Sequence, residues 1–324
     1  MALLRSREFQ LILAIGALLA LVAARFPAFV APGNLANVLN DTAPLILLAL
    51  GQTVVILTRC IDLSVAANLA LTGMAAAMLN VAFPGLPVPV IVLGAVLMGA
   101  ALGAINGLLV WKLAIPPIVV TLGTLTIYRG LVFVISDGQW INAHEMTDAF
   151  TALPRATVLG LPMLSWLALA GVAIFMALAR FLPLGRAFYA VGGNPSAAIY
   201  AGIDPGRTQF WAFVLSGAVA GLTGYLWVAR YQVAYVDIAG GFELEVVAAC
   251  VIGGISIAGG AGTIMGALLG ALFLGIVKNA LPVVGVSPFW QLAISGAAIV
   301  IAVIANGRAQ RRTGRQILPR EAPS

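Results

Sequence analysis

Long, almost uninterrupted apolar runs alternate along this chain with short segments that carry polar residues, glycine and proline. Each run approaches the length of about 20 residues that a helix needs to cross a bilayer. The runs lack the alternation of two faces that membrane-spanning β-strands show. The sequence therefore predicts an all-α polytopic membrane protein. About ten crossings can be placed, at residues 10–29, 43–58, 65–80, 88–111, 118–135, 164–182, 208–228, 244–258, 263–281 and 289–305.

The composition excludes an ordinary soluble protein. Hydrophobic residues make up 62% of the chain and charged residues 9%, and the mean hydropathy is +1.07. A soluble domain carries roughly 25% charged residues. No segment is polar and long enough for a separate soluble domain, so we predict one transmembrane domain over residues 10–306. A short N-terminal segment (1–9) precedes this domain, and a basic tail (307–324) follows it.

The distribution of charge predicts the orientation of the chain. Basic residues collect at one set of helix ends and in the tail: Arg5, Arg7, Arg59, Lys112, Arg180, Arg186, Arg207, Arg308, Arg311, Arg312, Arg315 and Arg320. The opposite ends carry Asp41, Asp137, Glu145, Asp148, Asp237, Glu243 and Glu245. By the positive-inside rule, both termini and the loop at 183–207 face the cytoplasm. Membrane anchoring explains the net charge of +6, so we expect no nucleic-acid partner.

Two predicted helices carry ladders of glycines four positions apart. One ladder is Gly99, Gly103 and Gly107, and the other is Gly262, Gly266 and Gly270. Residues at this spacing share a helix face and let two backbones approach closely. An asparagine and a proline-marked segment follow each ladder, at 106–117 and 279–288. This common order predicts an internal repeat, as many transporters have.

Patterns typical of catalysis or metal binding are missing from the sequence. It contains no phosphate-binding loop and no HExxH or GxSxG motif. Cys60 and Cys250 lie in or beside apolar runs, without metal-ligand spacing. His144, the one histidine, falls in a loop outside the membrane, where we interpret it as a solvated residue. We therefore expect a protein that is not an enzyme and binds no metal or cofactor itself.

Ion-coupled transport is an alternative function. It usually requires ionisable groups or broken helices near the middle of the membrane. Arg129 and Lys278 lie toward the outer ends of their spans, where long side chains can reach the interface. Asp62 lies at an inner junction close to Arg59, and we expect it to form an ion pair or a helix cap. No carboxylate is left near the midplane, which weakens this alternative but leaves it open.

The segment VGGNPSAAIYAGID (191–204) predicts a complete small helix between two spans. Asn194 is a preferred N-cap residue, Pro195 suits the first helical position and Gly202 suits the position after the end. A helix of about seven residues is too short to be stable alone in water. In the cytoplasmic loop it could instead serve as a knob for the groove of a partner. The residues shown to that partner would be Ala197, Ala198, Ile199 and Tyr200. An ordinary turn is the alternative.

Four passages resemble a known family. They are RCIDLSVAANLALTG (59–73), IPPIVVTLGTLTIYRGL (115–131), GGNPSAAIYAGID (192–204) and GGFELEVVAACVIGGISIAGGAGTIMGALLGA (240–271). Together they resemble the membrane permeases of bacterial ABC sugar importers, the group that carries ribose, xylose, arabinose and rhamnose. The resemblance spans roughly residues 40–306. Arg59 and Cys60 depart from it, because the family usually has a pair of small residues there.

The resemblance implies a bacterial inner-membrane assembly. Two permeases, identical or paralogous, would share a periplasmic sugar-binding protein, and each would bind a nucleotide-binding ATPase subunit in the cytoplasm. ATP and Mg²⁺ would be bound by that ATPase. The short helix would be the coupling helix that docks into the ATPase. Its residues would be Gly193, Asn194, Pro195, Ala197, Ala198, Ile199, Tyr200 and Gly202.

Sites for the sugar and for the binding protein are hypotheses at this stage. Candidate residues of the translocation path are Asn68, Thr72, Asn106, Thr121 and Thr124. Each of them could instead hydrogen-bond between helices. Glu243 and Glu245 could dock the binding protein or simply favour a helix N-terminus. The resemblance points most closely to rhamnose-type deoxyhexoses, with ribose-like pentoses and autoinducer-2 as alternatives.

Overall fold

A computed structural model of the protein describes residues 7–287 and four later positions, 290, 293, 296 and 297. The basic tail lies outside the described residues. So does the predicted crossing at 289–305, except for those four positions. The described helices are α1 (Arg7–Arg25), α2 (Pro32–Leu57), α3 (Val65–Ala82), α4 (Val88–Lys112), α5 (Pro117–Ser136), α6 (Asp148–Arg155), α7 (Met163–Phe181), α8 (Pro183–Gly193), α9 (Pro195–Tyr200), α10 (Pro205–Tyr231), α11 (Phe242–Ile252) and α12 (Ile264–Val283).

The prediction of an all-α polytopic membrane fold is confirmed. Within the described part of the chain, eight helices are long and apolar enough to cross a membrane: α1, α2, α3, α4, α5, α7, α10 and α12. One small β-hairpin joins α6 to α7, with strands β1 (Thr157–Val158) and β2 (Leu161–Pro162) in antiparallel register. Proline opens many of these helices, including α2, α5 and α10, because its missing N–H costs nothing in the first turn.

Helices α2, α3 and α10 form the core of the bundle. In α2, 89% of the most apolar window is buried, and the values for α3 and α10 are 72% and 67%. The corresponding share in α4, α5 and α7 is 28%, so these three helices lie at the periphery. The core is built largely from small and medium side chains, such as the consecutive Ala66 and Ala67, both without measurable exposure. In a membrane the hydrophobic effect does not drive helices together, because lipid is as apolar as the side chains. Small residues instead let the helices pack closely.

Helix α4 packs on α10 through glycine on both sides. A Cβ atom at Gly99 or Gly103 would collide with the backbone of α10 near Gly217 and Phe213. In return, Gly217 and Gly221 of α10 have no room for a Cβ atom against α4. The predicted ladder on α4 thus faces a second ladder on α10. Backbones in direct contact form a smooth seam, without large interlocking side chains.

The predicted crossing at 244–258 is wrong as a continuous helix. Helix α11 has 11 residues and is about 16 Å long, roughly half of the hydrocarbon core. It ends at Ile252 because Gly254 has a φ of +87°, which no helix allows. A glycine-rich turn at 253–263 continues the chain to α12. This crossing is therefore discontinuous.

The second glycine ladder is also corrected. Gly262 has a φ of +137° and lies in the turn before α12, so it belongs to no helix face. Only Gly266 and Gly270 of the predicted three are helical. They lie against the backbone of Gly253 and Ala249, and so hold α12 to the end of α11.

The loops collect at two opposite ends of the bundle, as the charge pattern predicts. At the end assigned to the cytoplasm, Glu8 accepts a hydrogen bond from Thr263, and Gly260 donates to Leu57. At the other end, the Asn80 amide donates to Thr147 in the loop at 136–163. The segments predicted to lie inside and outside are thus separated by the length of the helices.

Candidate coupling site and translocation route

The small helix predicted in the loop at 183–207 is present as α9. The side chain of Asn194 caps its first turn by accepting a hydrogen bond of 3.1 Å from the Ala197 amide. Pro195 occupies the first helical position, and Gly202 follows the end with a φ of +79°. Ile199 and Tyr200 are 60% and 93% exposed, so two large side chains project from this surface.

The expectation that Ala198 faces a partner is wrong. Ala198 is only 3% exposed, because a helix lying on the bundle must turn one side toward it. Its carbonyl accepts hydrogen bonds from the amides of Ala201 and Ile203 and helps to close the helix. The exposed surface of α9 therefore includes Ala197, Ile199 and Tyr200.

The base of α9 is tightly held by backbone contacts. Gly192, two residues before the N-cap, lies directly against the carbonyl oxygen of Leu57 and the amide of Gly260, with no room for a Cβ atom. The amide of Gly260 donates to the Leu57 carbonyl at 3.0 Å. The end of α2, the end of α8 and the glycine-rich turn at 253–263 therefore meet at one point.

Arg59 reinforces this junction. Its Nε atom donates to the Gly192 carbonyl at 2.8 Å and its guanidinium also donates to the Gly193 carbonyl at 3.1 Å. These carbonyls end α8, where a cation also complements the helix dipole. Arg59 itself has a φ of +66°, a left-handed conformation that favours glycine. The side chain thus compensates for an unfavourable backbone by two hydrogen bonds.

Asp62 forms no ion pair with Arg59 and does not occupy the cap position of α3, which belongs to Ser64. Its carboxylate accepts hydrogen bonds of 2.9 Å and 2.6 Å from the amide and hydroxyl of Ser64, just before α3. The side chain lies in the 58–64 connection and is almost fully buried. Burial raises the pKa of Asp62 to about 6, against the lowering effect of the Ser64 hydrogen bonds.

A cleft opens beside α9, between α8 and α10. It encloses about 670 Å³ and is lined by Leu184, Arg186, Ile203, Arg207 and Trp211 among others. The two arginines come from different helices, Arg186 from α8 and Arg207 from α10. The cleft and the exposed face of α9 together make a mixed basic and apolar surface at the cytoplasmic end.

The five candidate path residues lie in helix contacts of this chain. Each is at most 4% exposed. The Asn68 amide donates to the Gly99 carbonyl at 3.1 Å, and the Asn106 amide donates to the Ser64 hydroxyl at 2.8 Å. Thr121 donates to the carbonyl of Ile61 at 3.2 Å. The hydroxyls of Thr72 and Thr124 donate to carbonyls of their own helices. The alternative noted for them, hydrogen bonding between helices, therefore describes the two asparagines, and Thr121 bonds to a neighbouring connection, whereas Thr72 and Thr124 bond within their own helices.

One of the two glutamates at the start of α11 is paired within the chain. Glu245 forms an ion pair with Lys278 of α12, at 2.8 Å between Nζ and Oε2. Glu243 is half-buried, beside Arg129. The Arg129 guanidinium donates to the carbonyls of Ile238 and Ala239. Arg129 and Lys278 therefore bind protein groups, rather than reaching to the membrane interface as expected.

A cavity at the outer end of the bundle was not anticipated from the sequence. It lies between α2, α10, α11 and α12 and encloses about 460 Å³. Four aromatic rings, those of Phe29, Trp227, Tyr231 and Phe242, line it together with charged and amide side chains. Only the spacing of Trp227 and Tyr231, four residues apart on one helix, hinted at a shared face. The partners on three other helices are distant in sequence.

Comparison with known proteins assigns the family. The family model described as "Branched-chain amino acid transport system / permease component" matches residues 34–303. The chain belongs to this permease family. It is a transporter subunit and not an enzyme, and it is a multi-pass protein of the bacterial inner membrane. The resemblance to permeases of sugar importers is confirmed. No solved structure matches the permease.

Relatives of this permease are named for the import of ribose, autoinducer 2 and D-allose. The ribose import permease RbsC of Haemophilus influenzae is 35% identical over 308 residues, covering 94% of this chain and 93% of the relative. The autoinducer 2 import permease LsrC of Klebsiella pneumoniae is 37% identical over 314 residues, covering 97% and 90%. The D-allose permease AlsC of Escherichia coli is 37% identical over 275 residues, covering 85% and 83%.

Proposed function

We propose that this permease is the membrane subunit of an ATP-driven importer for a monosaccharide, and that α9 is the helix that docks into its ATPase partner. The observation that carries the proposal is α9 itself. It is a capped helix of six residues that projects Ile199 and Tyr200 from a cytoplasmic loop. Large apolar side chains left exposed on a helix are suited to fill a groove on a partner.

The contacts at the base of α9 support a mechanical role. Gly192 and Gly193 are fixed by Arg59 and lie against the turn at 253–263. A displacement of α9 by a partner would therefore move the end of α2 and the discontinuous crossing, rather than bend a loose loop. Packed backbone contacts transmit such motion because they cannot deform continuously.

Movement of the bundle would follow the glycine seam. Helices α4 and α10 touch through backbone at Gly99, Gly103, Gly217 and Gly221. Such a surface permits small sliding motions at little cost, since no large side chains interlock. A second permease, identical or paralogous, would complete the route for the sugar. ATP and Mg²⁺ would be bound by the ATPase partner, and this chain would bind no cofactor.

The substrate class rests on the relatives, which are named for ribose, allose and autoinducer 2. We include L-rhamnose among the substrates to compare, because the sequence resemblance favours it. A periplasmic binding protein would supply affinity and specificity, so the permease itself needs only weak sites. Docking of that protein through Glu243 and Glu245 would require Glu245 to leave its ion pair with Lys278.

Uptake into proteoliposomes tests the proposal. The permease, its ATPase and its binding protein are reconstituted with ATP inside and all ion gradients collapsed, and L-rhamnose, D-ribose, D-allose and autoinducer 2 are compared. We expect uptake of one of them that requires ATP, and loss of uptake in Tyr200→Asp with normal insertion. Uptake that ignores ATP and follows a proton or sodium gradient would support the ion-coupled alternative, for which the discontinuous crossing is suited.

A further inference from the structure

We infer that the outer cavity between α2, α10, α11 and α12 is a weak binding site for a neutral monosaccharide within each permease chain. This inference rests on the proposed function and adds to it a substrate site. The cavity volume of about 460 Å³ lies within the roughly 300–1,000 Å³ that small-molecule sites have. The polar residues that the sequence suggested for the path are buried in contacts between helices. This cavity, by contrast, is open to a ligand.

One wall of the cavity is aromatic. The ring centroids of Trp227 and Tyr231 are 5.3 Å apart, and those of Trp227 and Phe242 are 5.2 Å apart. Aromatic rings present flat apolar faces, and those of Trp and Tyr also carry a polar group at one edge. A sugar ring has apolar C–H groups on one face and hydroxyls around its rim, so such a wall fits one face of it.

The remaining walls supply hydrogen-bonding groups of both kinds. Asp41 and Glu245 offer carboxylate oxygens and Lys278 offers N–H donors. Asn34 and Asn279 each donate one amide N–H within the chain, to the carbonyls of Phe29 and Gly275, and keep an amide oxygen that can accept. Such groups suit hydroxyls, which donate and accept at once. They lie on α2, α11 and α12, and Asn34 belongs to the first turn of α2. Charged groups on membrane helices are costly, and they generally mark functional sites.

The charges favour a neutral ligand. Glu245 is paired with Lys278, and Asp41 is paired with Arg230 of α10. The four groups therefore balance, which leaves no excess charge to hold an ion. A lipid chain would need apolar walls on every side, and the carboxylates and amides do not provide them. A compact polyhydroxylated molecule can pack on the aromatic wall and hydrogen-bond to the polar walls.

Saturation-transfer NMR of the full permease chain alone, in phosphatidylcholine nanodiscs, tests the site with D-ribose, D-allose and L-rhamnose as probes. We expect at least one sugar to bind with a dissociation constant on the order of 1 mM. Trp227→Leu should weaken that binding about tenfold, the size of one lost aromatic contact. Trp227→Phe keeps a ring and should retain most of the affinity. Glu245→Gln should weaken binding as well.

Trp211→Leu is the matched control, since Trp211 lies on the same helix in the cytoplasmic cleft, and it should bind like wild type. Equal binding by the Trp227→Leu and Trp211→Leu variants would overturn the site. So would displacement of the sugar signal by phosphatidylethanolamine, which would make a lipid headgroup the occupant. The absence of any sugar signal from a chain that supports ATP-driven uptake would overturn the site and leave the proposed function standing. Sugar binding without ATP-driven uptake would do the reverse.

Discussion

Arg59 combines a strained backbone with two hydrogen bonds to the base of α9. Its φ of +66° would suit glycine, and its guanidinium holds the carbonyls of Gly192 and Gly193. Bonds from a charged donor contribute about 1.5–3 kcal/mol each. Arg59 is thus positioned to connect the base of α9 to the end of α2, so that the two segments move together.

Removal of the Arg59 side chain should uncouple the transporter. We expect Arg59→Ala to lower the amount of sugar imported per ATP hydrolysed several-fold, because α9 can then move without α2. The measurement is the ratio of uptake to phosphate release in proteoliposomes. Lys112→Ala, at the same end of the bundle, serves as the control. A ratio in Arg59→Ala equal to that of the control would contradict a transmitting role.

Asp62 predicts a dependence of stability on pH. Its pKa is about 6 in the folded chain, raised by burial from the ordinary 3.8. The folded state therefore holds the proton more tightly, and the stabilisation is full below pH 3.8 and is lost as the pH rises through about 6. A shift of this size corresponds to about 3 kcal/mol.

Replacement of Asp62 should make stability less sensitive to pH. Asp62→Asn is neutral at every pH and keeps an oxygen that can accept from Ser64. We expect thermal unfolding in detergent to show a smaller decrease from pH 4 to pH 7 in this variant than in wild type. Parallel curves for the two proteins would show that the carboxyl group is not the one that titrates.

At the scale of elements, close backbone approach decides how helices pair. The ladder on α4 meets a second ladder on α10, and α12 meets the end of α11 through Gly266 and Gly270. Neither pairing follows from the ladders alone, since a row of small residues does not specify its partner. The sequence predicted most of the membrane-spanning helices, because the length of an apolar run is a local property. The break in the crossing at 244–258 depends on positive φ angles in the glycine-rich turn.

The α4–α10 seam predicts a contrast between two glycines in membrane helices. Gly103→Ala should destabilise the bundle by roughly 2 kcal/mol or more, because the added Cβ atom collides with the Phe213 carbonyl. Gly123→Ala on α5 has open space and should be neutral or slightly stabilising by helix propensity. Thermal unfolding in detergent compares them. Equal effects at both positions would argue against backbone contact at the seam.

At the scale of the whole molecule, the discontinuous crossing connects the two ends of the permease. The first turn of α11 lines the outer cavity with Phe242 and Glu245. The turn that follows α11 reaches the base of α9 through Gly260. One segment therefore touches both the proposed sugar site and the proposed coupling site. The internal repeat of the two glycine-ladder segments stays a prediction.

Labelling from each side of the membrane checks the orientation. Cys60 and Cys250 are buried, so they should react little with an impermeant maleimide. We expect Tyr200→Cys to be labelled only from the cytoplasmic side and His144→Cys only from the outside, because both positions are exposed at opposite ends. Labelling of both variants from the same side would overturn the predicted topology.

The sequence by itself determined the membrane class, most of the spans, the short helix with its Asn194 cap, and the family resemblance. These are local properties, set by apolar length, capping chemistry and contiguous motifs. The tertiary structure alone decided that Arg59 holds the base of α9, that Asp62 is buried against Ser64 and that the path candidates lie in helix contacts. It also assembled the outer cavity from four helices. Such features depend on which distant segments of the chain come into contact. The pattern of residues along one helix cannot specify its partners.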